Sequence, residues 1–541
     1  MGFFSKFKSS KQEEPEELVL PDPIEPENAY FGREPIVDKN SILIGFELFF
    51  RMGTEADAER ANAIALRRAE MIAAGADPEE IAEKDLNPDS YLPIDDDDDS
   101  SSNNADQGES EGSAEATEEQ QGDAPTESSE ATEATTEDLP EQPPEPFVKL
   151  SEIMRALREK GVANSLGRQI GFIKVNKEIL LDKKLRSVPA LKFALEVPHA
   201  LLADPDVLKE CESLNRVKYQ LVLTDFDHLF EGYKEILPLF RFVKLDPAHG
   251  NPEQLKEIID KCHEFEIRAL ATDVNTVETF HQAKELGFDL FEGYFFTHAA
   301  PETSLHRDEK HLKLLKLLTL LLSNPELSQL DAELRENPTV AKHLIKIAEI
   351  EGKRKHRKVE NVRDAVVLSG IKRITRWTQL LLYANNTAGV HLDSLPLLQH
   401  VCVRAFFMEN AAGRLGAGGG LASTDLAFLT GGLSLVEVLF DKPSREVLED
   451  FNLPHVVVDA ISDGSGFLGQ LLELARAAEL GDEEKMRILA VDDLEPLTMQ
   501  AIADDSLHAI RSFVQQTQEE PDEDEWPDAE VEEAADERPR S

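Results

Sequence analysis

The chain is poor in cysteine, in basic residues and in long apolar runs, and each shortage removes a class of answer. Its three cysteines, Cys211, Cys262 and Cys402, lie far apart with no CxxC pair. That spacing excludes a thiolate zinc site and a disulfide framework and fits a reducing, cytoplasmic setting. The apolar run "LLKLLTLLL" is short and interrupted by Lys316, so no segment reads as a transmembrane span. No signal peptide is visible. Lys and Arg number 57 against 106 Asp and Glu, a net charge of −49. DNA is therefore excluded as a partner, because affinity for phosphate backbones rests on cationic side chains that displace counterions. Only "KRKHRK", residues 353–358, runs the other way. It reads as a solvated loop, with docking of a phosphate or an acidic segment as the alternative.

The acidity is unevenly spread. Residues 95–145 hold nineteen acids and no Lys or Arg, and residues 515–541 hold twelve acids against Arg538 and Arg540. The first tract has almost no apolar side chains and cannot offset its ordering entropy by burial, so 86–145 reads as a disordered insertion. Residues 1–27 and 518–541 read as disordered tails, the second one acidic. At the N-terminus, Met1–Lys11 ("MGFFSKFKSSK") would place Phe3, Phe4 and Phe7 on one helical face with Lys6, Lys8 and Lys11 near the polar side. That is the pattern of a weak membrane-surface anchor, with a plain tail as the alternative.

What remains divides into two patterns. "FGREPIVDKNSILIGFELFFR" reads as a strand, a turn at "DKNS" and a second strand entering a helix, followed by an Ala-rich amphipathic segment over 54–84. Past the insertion, apolar strands ("QIGFIKV", "LKFALEV", "YQLVLT", "FRFVKL", "IRALAT", "FDLFEGYFF") alternate with helices. About seven such strands predict a parallel sheet buried on both faces and closed into a βα (TIM-like) barrel. From about residue 303 strands vanish, and helical periodicity in "LIKIAEI", "VRDAVVLSG", "ITRWTQLLLYA", "LPLLQHVCVRAFFMENAAGRL" and "LGQLLELARAAEL" predicts an all-helical second unit. The fold class is thus α/β plus all-α.

In a βα barrel, chemistry sits at the carboxyl ends of the strands. Those ends supply Glu47, Asn176, Glu196, Thr224 with Asp225, Lys244 with Asp246, Thr272 with Asp273, and Glu292. Carboxylates and an amide are hard oxygen ligands for Mg²⁺ or Mn²⁺, and a Lys beside them suits a phosphate or a metal-bound hydroxide.

These residues carry a resemblance. "GFELFFR" is similar to the Glu-Ala-Leu-Leu-Arg signature of EAL domains, bacterial cyclic di-GMP phosphodiesterases, and "IKVN", "LEV", "TDFD", "VKLD" and "GFDLFEGYFF" follow in the family's order over about 28–302. The resemblance implies an EAL-type modified βα barrel, with Glu47, Asn176, Glu196 and Asp225 at metal-ligand positions, Lys244 as the active-site lysine and Arg51 at a substrate phosphate. Arg51, Lys244 and Asp225 are then the candidate nucleotide-binding residues. The chain also departs from the family. Thr224 stands for the first Asp of Asp-Asp-Phe-Gly and Asp227 for its Gly, and Ala271, Thr272, Asp273, Val274 and Asn275 stand where the family reads Ala-Glu-Gly-Val-Glu. Hydrolysis by two metals needs anionic ligands to hold the ions and acidify the attacking water. Thr224, Thr272 and Asn275 are neutral, which predicts that no catalytic residue set survives. No cofactor is expected, and the remaining Glu47, Asn176, Glu196 and Asp225 are vestigial ligands for weak Mg²⁺ or Mn²⁺ binding. Asp273 lies one residue from the lost position, and a one-residue shift along a strand reverses the face.

In the helical half, none of the fourteen histidines precedes an Asp, so an HD-type metal site is absent and His311, His343, His356, His391 and His400 read as ordinary histidines. "NPELSQLDAELRENPTVAKHLIKIAEI", followed by "KVENVRDAVVLSGIKRITRWTQLLL" with Ser369 and Gly370 at the family's Leu-Gly position, and then "AFLTGGLSLVEVLFDKP", resembles the HDOD domain, a regulatory output domain. It would fill 303–490, with a C-terminal helix over 491–517. "GAGGGLAST", residues 416–424, has no Lys before its Ser and reads as a flexible interhelical loop instead of a phosphate loop. The pairing implies a non-catalytic bacterial signal-transduction protein that works through protein partners. The alternatives are a cyclic di-GMP receptor that binds without hydrolysis, and a residual phosphodiesterase.

Overall fold

The computed structural model describes residues 30–51, 148–158, 160–226, 233–248, 251–298, 309–323, 325–336, 356–384, 391–416, 421–440, 442–449, 453–490 and 497–517, with isolated residues in 66–71 and 338–352 and at 494. The expectations for 1–27, 86–145 and 518–541, for most of 54–84 and for 353–355 lie outside these residues.

Eight strands close into a barrel in sequence order: β1 (Tyr30–Asp38), β2 (Leu43–Arg51), β3 (Ile170–Lys174), β4 (Phe193–Pro198), β5 (Gln220–Thr224), β6 (Phe242–Leu245), β7 (Arg268–Ala271) and β8 (Leu290–Glu292). The sequence expectation was about seven parallel strands. The observed β1 is instead antiparallel to both β2 and β8, while every pair from β2 to β8 is parallel. The reason is local: a parallel neighbour needs a crossover of a dozen or more residues, and the link between β1 and β2 is a tight turn. Asp38 Oδ1 closes it by accepting from the backbone N–H groups of Asn40 (2.8 Å) and Ile42 (2.9 Å), with Ser41 in the left-handed region at φ 57°.

Helices follow the parallel strands, capped by side chains the sequence places there. Asp204 opens Pro205–Arg216, Asn251 opens Pro252–Glu264 and Thr276 opens Val277–Leu286, each accepting a backbone N–H of the first turn. Their apolar faces meet the outward side chains of the strands in one large core. A second, smaller cluster fills the barrel itself: Ile36, Phe172, Ala194, Val222, Phe242, Leu270 and Leu290, one residue from each strand except β2. The last strand is shorter than its apolar run suggests. Gly293 at φ 135° turns the chain after Glu292, where a Cβ would lie 2.3 Å from the Val274 carbonyl oxygen, and Phe295–Thr297 becomes a 3₁₀ turn.

The rest of the described chain is helical, from Glu309–Leu322 to Met499–Thr517. Pro396–Arg414 is its central helix, with buried residues on every side, packed against Leu421–Leu433, Gly466–Leu480 and Met499–Thr517. The glycine stretch expected as one loop stops earlier than read: Leu421 already belongs to a helix, because "LASTDLAFLT" has apolar residues to bury. Met499–Thr517 joins the two halves. Its Leu507 and Ile510 belong to the barrel core, while Ile502, Ala509 and Phe513 belong to the helical core. Arg414 pairs with Asp505 through Nε (3.1 Å) and Nη2 (2.9 Å), and Gln169 Nε2 donates to the Asp393 carbonyl at 3.0 Å. Barrel and helices therefore share one compact unit. Among the described residues no helix is long and apolar enough to cross a membrane.

Candidate functional site

Strand side chains alternate between faces, so the residue two places beyond each interior apolar residue also points inward, nearer the mouth. From Ile36, Phe172, Ala194, Val222, Phe242, Leu270 and Leu290 this step reaches Glu34, Lys174, Glu196, Thr224, Lys244, Thr272 and Glu292. Glu47, paired with Glu34 across β1 and β2, completes the circuit. Each strand thus sends one polar side chain into a single ring.

The ring is organised around Lys244. Its Nζ donates to Glu196 Oε1 at 2.8 Å and to Glu47 Oε2, and lies 2.9 Å from Glu292 Oε2. All four side chains are at most 7% exposed. Lys174 Nζ reaches Glu47 Oε1 at 2.8 Å from the outer side, with 59% of its side chain exposed. Charges this deep persist only when paired. Burial by itself lowers the Lys244 ammonium, but Glu292, Glu196 and Glu47 outweigh it and hold it well above the usual lysine range. Burial pushes Glu292 well up, and the neighbouring Glu47 adds to the rise against the pull of Lys244. Burial would raise Glu47 too, yet the hydrogen bond from Glu292 and the two ammoniums hold it at about 2. Burial raises Glu196 against the pull of Lys244. Glu34 is raised to about 7, first by burial and then by Glu47.

The other expected site residues stand at the rim. Asn176 caps the helix Lys177–Leu181, its Oδ1 accepting from Ile179 N at 2.9 Å. Asp225 is exposed, at φ 53°, and its Oδ2 accepts from Thr224 Oγ1 at 3.2 Å. Asp273 has the matching left-handed turn after Thr272, at φ 59°, and is exposed. Asn275 Nδ2 donates to Asp273 Oδ1 at 2.9 Å, and Asn275 Oδ1 accepts from Tyr294 N at 3.1 Å. Asn275 thereby ties the end of β7 to the end of β8. Arg51 ends β2, and its side chain lies outside the described residues.

The donor set can be tested against the divalent ions that the EAL resemblance implies. Glu47, Glu196 and Glu292 do converge, but the point of convergence is held by an ammonium. The Asn176 amide oxygen is engaged as a helix cap, and Asp225 is turned to the rim. Among the described residues no three His, Cys, Asp or Glu side chains are grouped to hold a metal. In this arrangement the residues do not fit a pair of divalent ions, since an ion would have to displace Lys244 to reach the same oxygens.

Reading strand ends one at a time missed Glu34 and Lys174. Lys174 was legible from alternation, two residues after Phe172 and paired with Glu196 in the register of β3 and β4. Glu34 was not, because its place depends on β1 being reversed.

No family model matches the chain. Two curated proteins are similar to it. One is the uncharacterized protein YuxH of Bacillus subtilis (strain 168), 20% identical over 313 residues, which are 57% of this chain and 76% of that protein. The other is the cyclic di-GMP phosphodiesterase CdgJ of Vibrio cholerae serotype O1, 24% identical over 336 residues, 60% of this chain and 74% of that one. Among solved structures, the FimX EAL domain of Pseudomonas aeruginosa bound to c-di-GMP is 12% identical, covers 50% of this chain and 89% of its own, and gives a TM-score of 0.27. The EAL-like domain protein YdiV is 13% identical, covers 49% and 90%, and gives 0.27.

Proposed function

We propose that this chain is a cyclic di-GMP signalling protein whose barrel does not hydrolyse the dinucleotide and which acts on protein partners through its HDOD-like helical region. The observation that carries the reading is the ring at the barrel mouth. Three carboxylates that would bind metal enclose Lys244 instead, and two of the eight inward positions are the neutral Thr224 and Thr272. Two-metal hydrolysis requires anions shared between the ions, and here the anions are committed to ammoniums. Similarity to CdgJ, a cyclic di-GMP phosphodiesterase, supports the signalling context.

The second reading, a receptor that binds without cutting, is favoured by Lys174. This cation is more than half exposed at the mouth and is free to meet a phosphate while it holds Glu47. Titration calorimetry with cyclic di-GMP, with and without Mg²⁺, separates the two: binding that weakens in Arg51→Ala supports the receptor, and no heat supports the protein-contact reading. Turnover to linear dinucleotide by the unaltered protein would refute both. Gain of turnover in the double variant Thr224→Asp, Thr272→Glu would support the assignment of what hydrolysis lacks.

A further inference from the structure

Where the barrel meets the helices there is a cavity of about 60 Å³, several times the room one water needs. It opens between β1 and the helices Pro396–Arg414, Gly466–Leu480 and Met499–Thr517. Its walls are mostly apolar or aromatic, among them Phe46, Tyr294, Phe296 and Phe407, but two arginines and one carboxylate also line it.

The two arginines differ. Arg404 is fully matched: Nε donates to Glu479 Oε1 at 2.8 Å, Nη2 pairs with Glu479 Oε2, and Nη1 donates to Ser434 Oγ at 2.9 Å. Glu479 also meets His400 Nε2 at 3.2 Å, and its carboxyl is held at about 2 against burial by Arg404 and His400. Arg33 has no such partner. Its guanidinium lies 4.0 Å above the Phe46 ring, and Nη1 is out of contact with solvent and without a hydrogen bond. Burial lowers Arg33 to about 9, which still leaves it charged at neutral pH. The cavity lining therefore carries one uncompensated positive charge. A cation over an aromatic ring recovers part of its lost hydration, but the Nη1 donor remains unfilled, and buried donors are filled in the great majority of folded proteins.

We propose that this cavity between barrel and helices is a binding site for a small oxyanion, a carboxylate or a phosphate, held by the Arg33 guanidinium. Such a ligand neutralises the unmatched charge and takes the bidentate geometry that arginine offers. It also stands beside the barrel mouth. Arg33 precedes Glu34 of the polar ring, and the hydroxyl of Tyr294, two residues after Glu292, lies 2.9 Å from the carbonyl oxygens of both Arg33 and Glu479, donating to one at a time. A bound anion braces the same strand that carries a ring residue.

The test uses the full chain and three probes: inorganic phosphate, sulfate and acetate, each titrated by calorimetry against chloride of equal ionic strength. Saturable binding of at least one probe is expected. In Arg33→Met its dissociation constant should rise about tenfold or more, the loss typical of a charge-assisted pair, while Arg33→Lys should retain part of the affinity. If Arg33→Met does not fold, Val403→Phe, which fills the cavity from the opposite wall, should abolish the same binding. Phosphate binding without acetate binding identifies a phosphate ligand, and the reverse a carboxylate. Absence of saturable binding by all three, or binding unchanged in Arg33→Met and in Val403→Phe, overturns the proposal.

Discussion

Replacing Lys244 with Met isolates the electrostatic logic of the ring. Met has nearly the length of Lys and keeps the apolar contacts of its stem, so the change is chiefly the loss of one buried charge. In the parent, the ammonium touches Glu47, Glu196 and Glu292, and Lys174 supplies a second cation from the outer side. Without Lys244, at least two buried carboxylates face one exposed ammonium. Stranding a buried charge costs about 3–5 kcal/mol. For a unit of this size that lowers the thermal midpoint by on the order of 10 °C. The deficit should depend on pH in a defined direction. Glu196 and Glu292 are already raised by burial, and removing the cation raises them further. A group raised in the folded state contributes stability below its unfolded pKa and loses it as pH rises through the folded value. The variant should therefore be close to the parent at pH 5 and furthest below it at pH 8. Urea unfolding followed by circular dichroism at both values measures this, and adding Glu196→Gln should restore part of the loss. A Lys244→Met protein as stable as the parent at pH 8, or one equally weakened at both values, would refute the description of the ring.

Four further outcomes follow from the same structure. Glu34→Gln should stabilise the protein by about 1–2 kcal/mol at pH 8 and leave it unchanged at pH 5, because a carboxyl raised to about 7 loses its contribution as pH rises through that value; the pair of urea midpoints reads this. Glu479→Gln strands Arg404 and should cost about 3 kcal/mol at neutral pH. Its deficit should shrink in acid, since a carboxyl held at about 2 gives full stabilisation above its unfolded pKa and loses it as pH falls toward 2. Gly293→Ala should prevent folding of the barrel or cost more than about 3 kcal/mol, because φ 135° and the Val274 carbonyl both oppose a Cβ, whereas Gly464→Ala at φ 66° in open space should cost about 1 kcal/mol; soluble yield and thermal midpoints compare them. Finally, Cys211, Cys262 and Cys402 are all buried, the first two thiols pushed up to about 12, chiefly by burial. Ellman's reagent should label none of them quickly in the native protein and all three in urea.

Much of this arrangement was legible in the residues, and the part that was not has a common cause. Each parallel strand from β3 to β7 falls within the run that predicted it, save that β4 passes its end by Pro198, because a strand buried on both faces must be largely apolar. Six members of the ring, Glu47, Glu196, Thr224, Lys244, Thr272 and Glu292, were named from strand ends alone. Asn176, the last polar residue of "IKVN", lies two residues past Lys174, the end of β3. Asn is a strong helix cap, and the start of Lys177–Leu181 claims it.

The amino-acid sequence by itself determined the two architectures, the strand and helix periods, the turn chemistry at Asp38 and the neutral side chains at Thr224, Thr272 and Asn275, since these depend on residue type and local spacing. Only the tertiary structure decided that Lys244 rather than an open space lies between Glu47, Glu196 and Glu292, that Glu34 joins them, and that Arg33 Nη1 is closed off from solvent without a hydrogen bond at the meeting of barrel and helices. Those facts depend on distances between residues up to several hundred positions apart. They are set by how the barrel closes and how Met499–Thr517 packs into two cores at once.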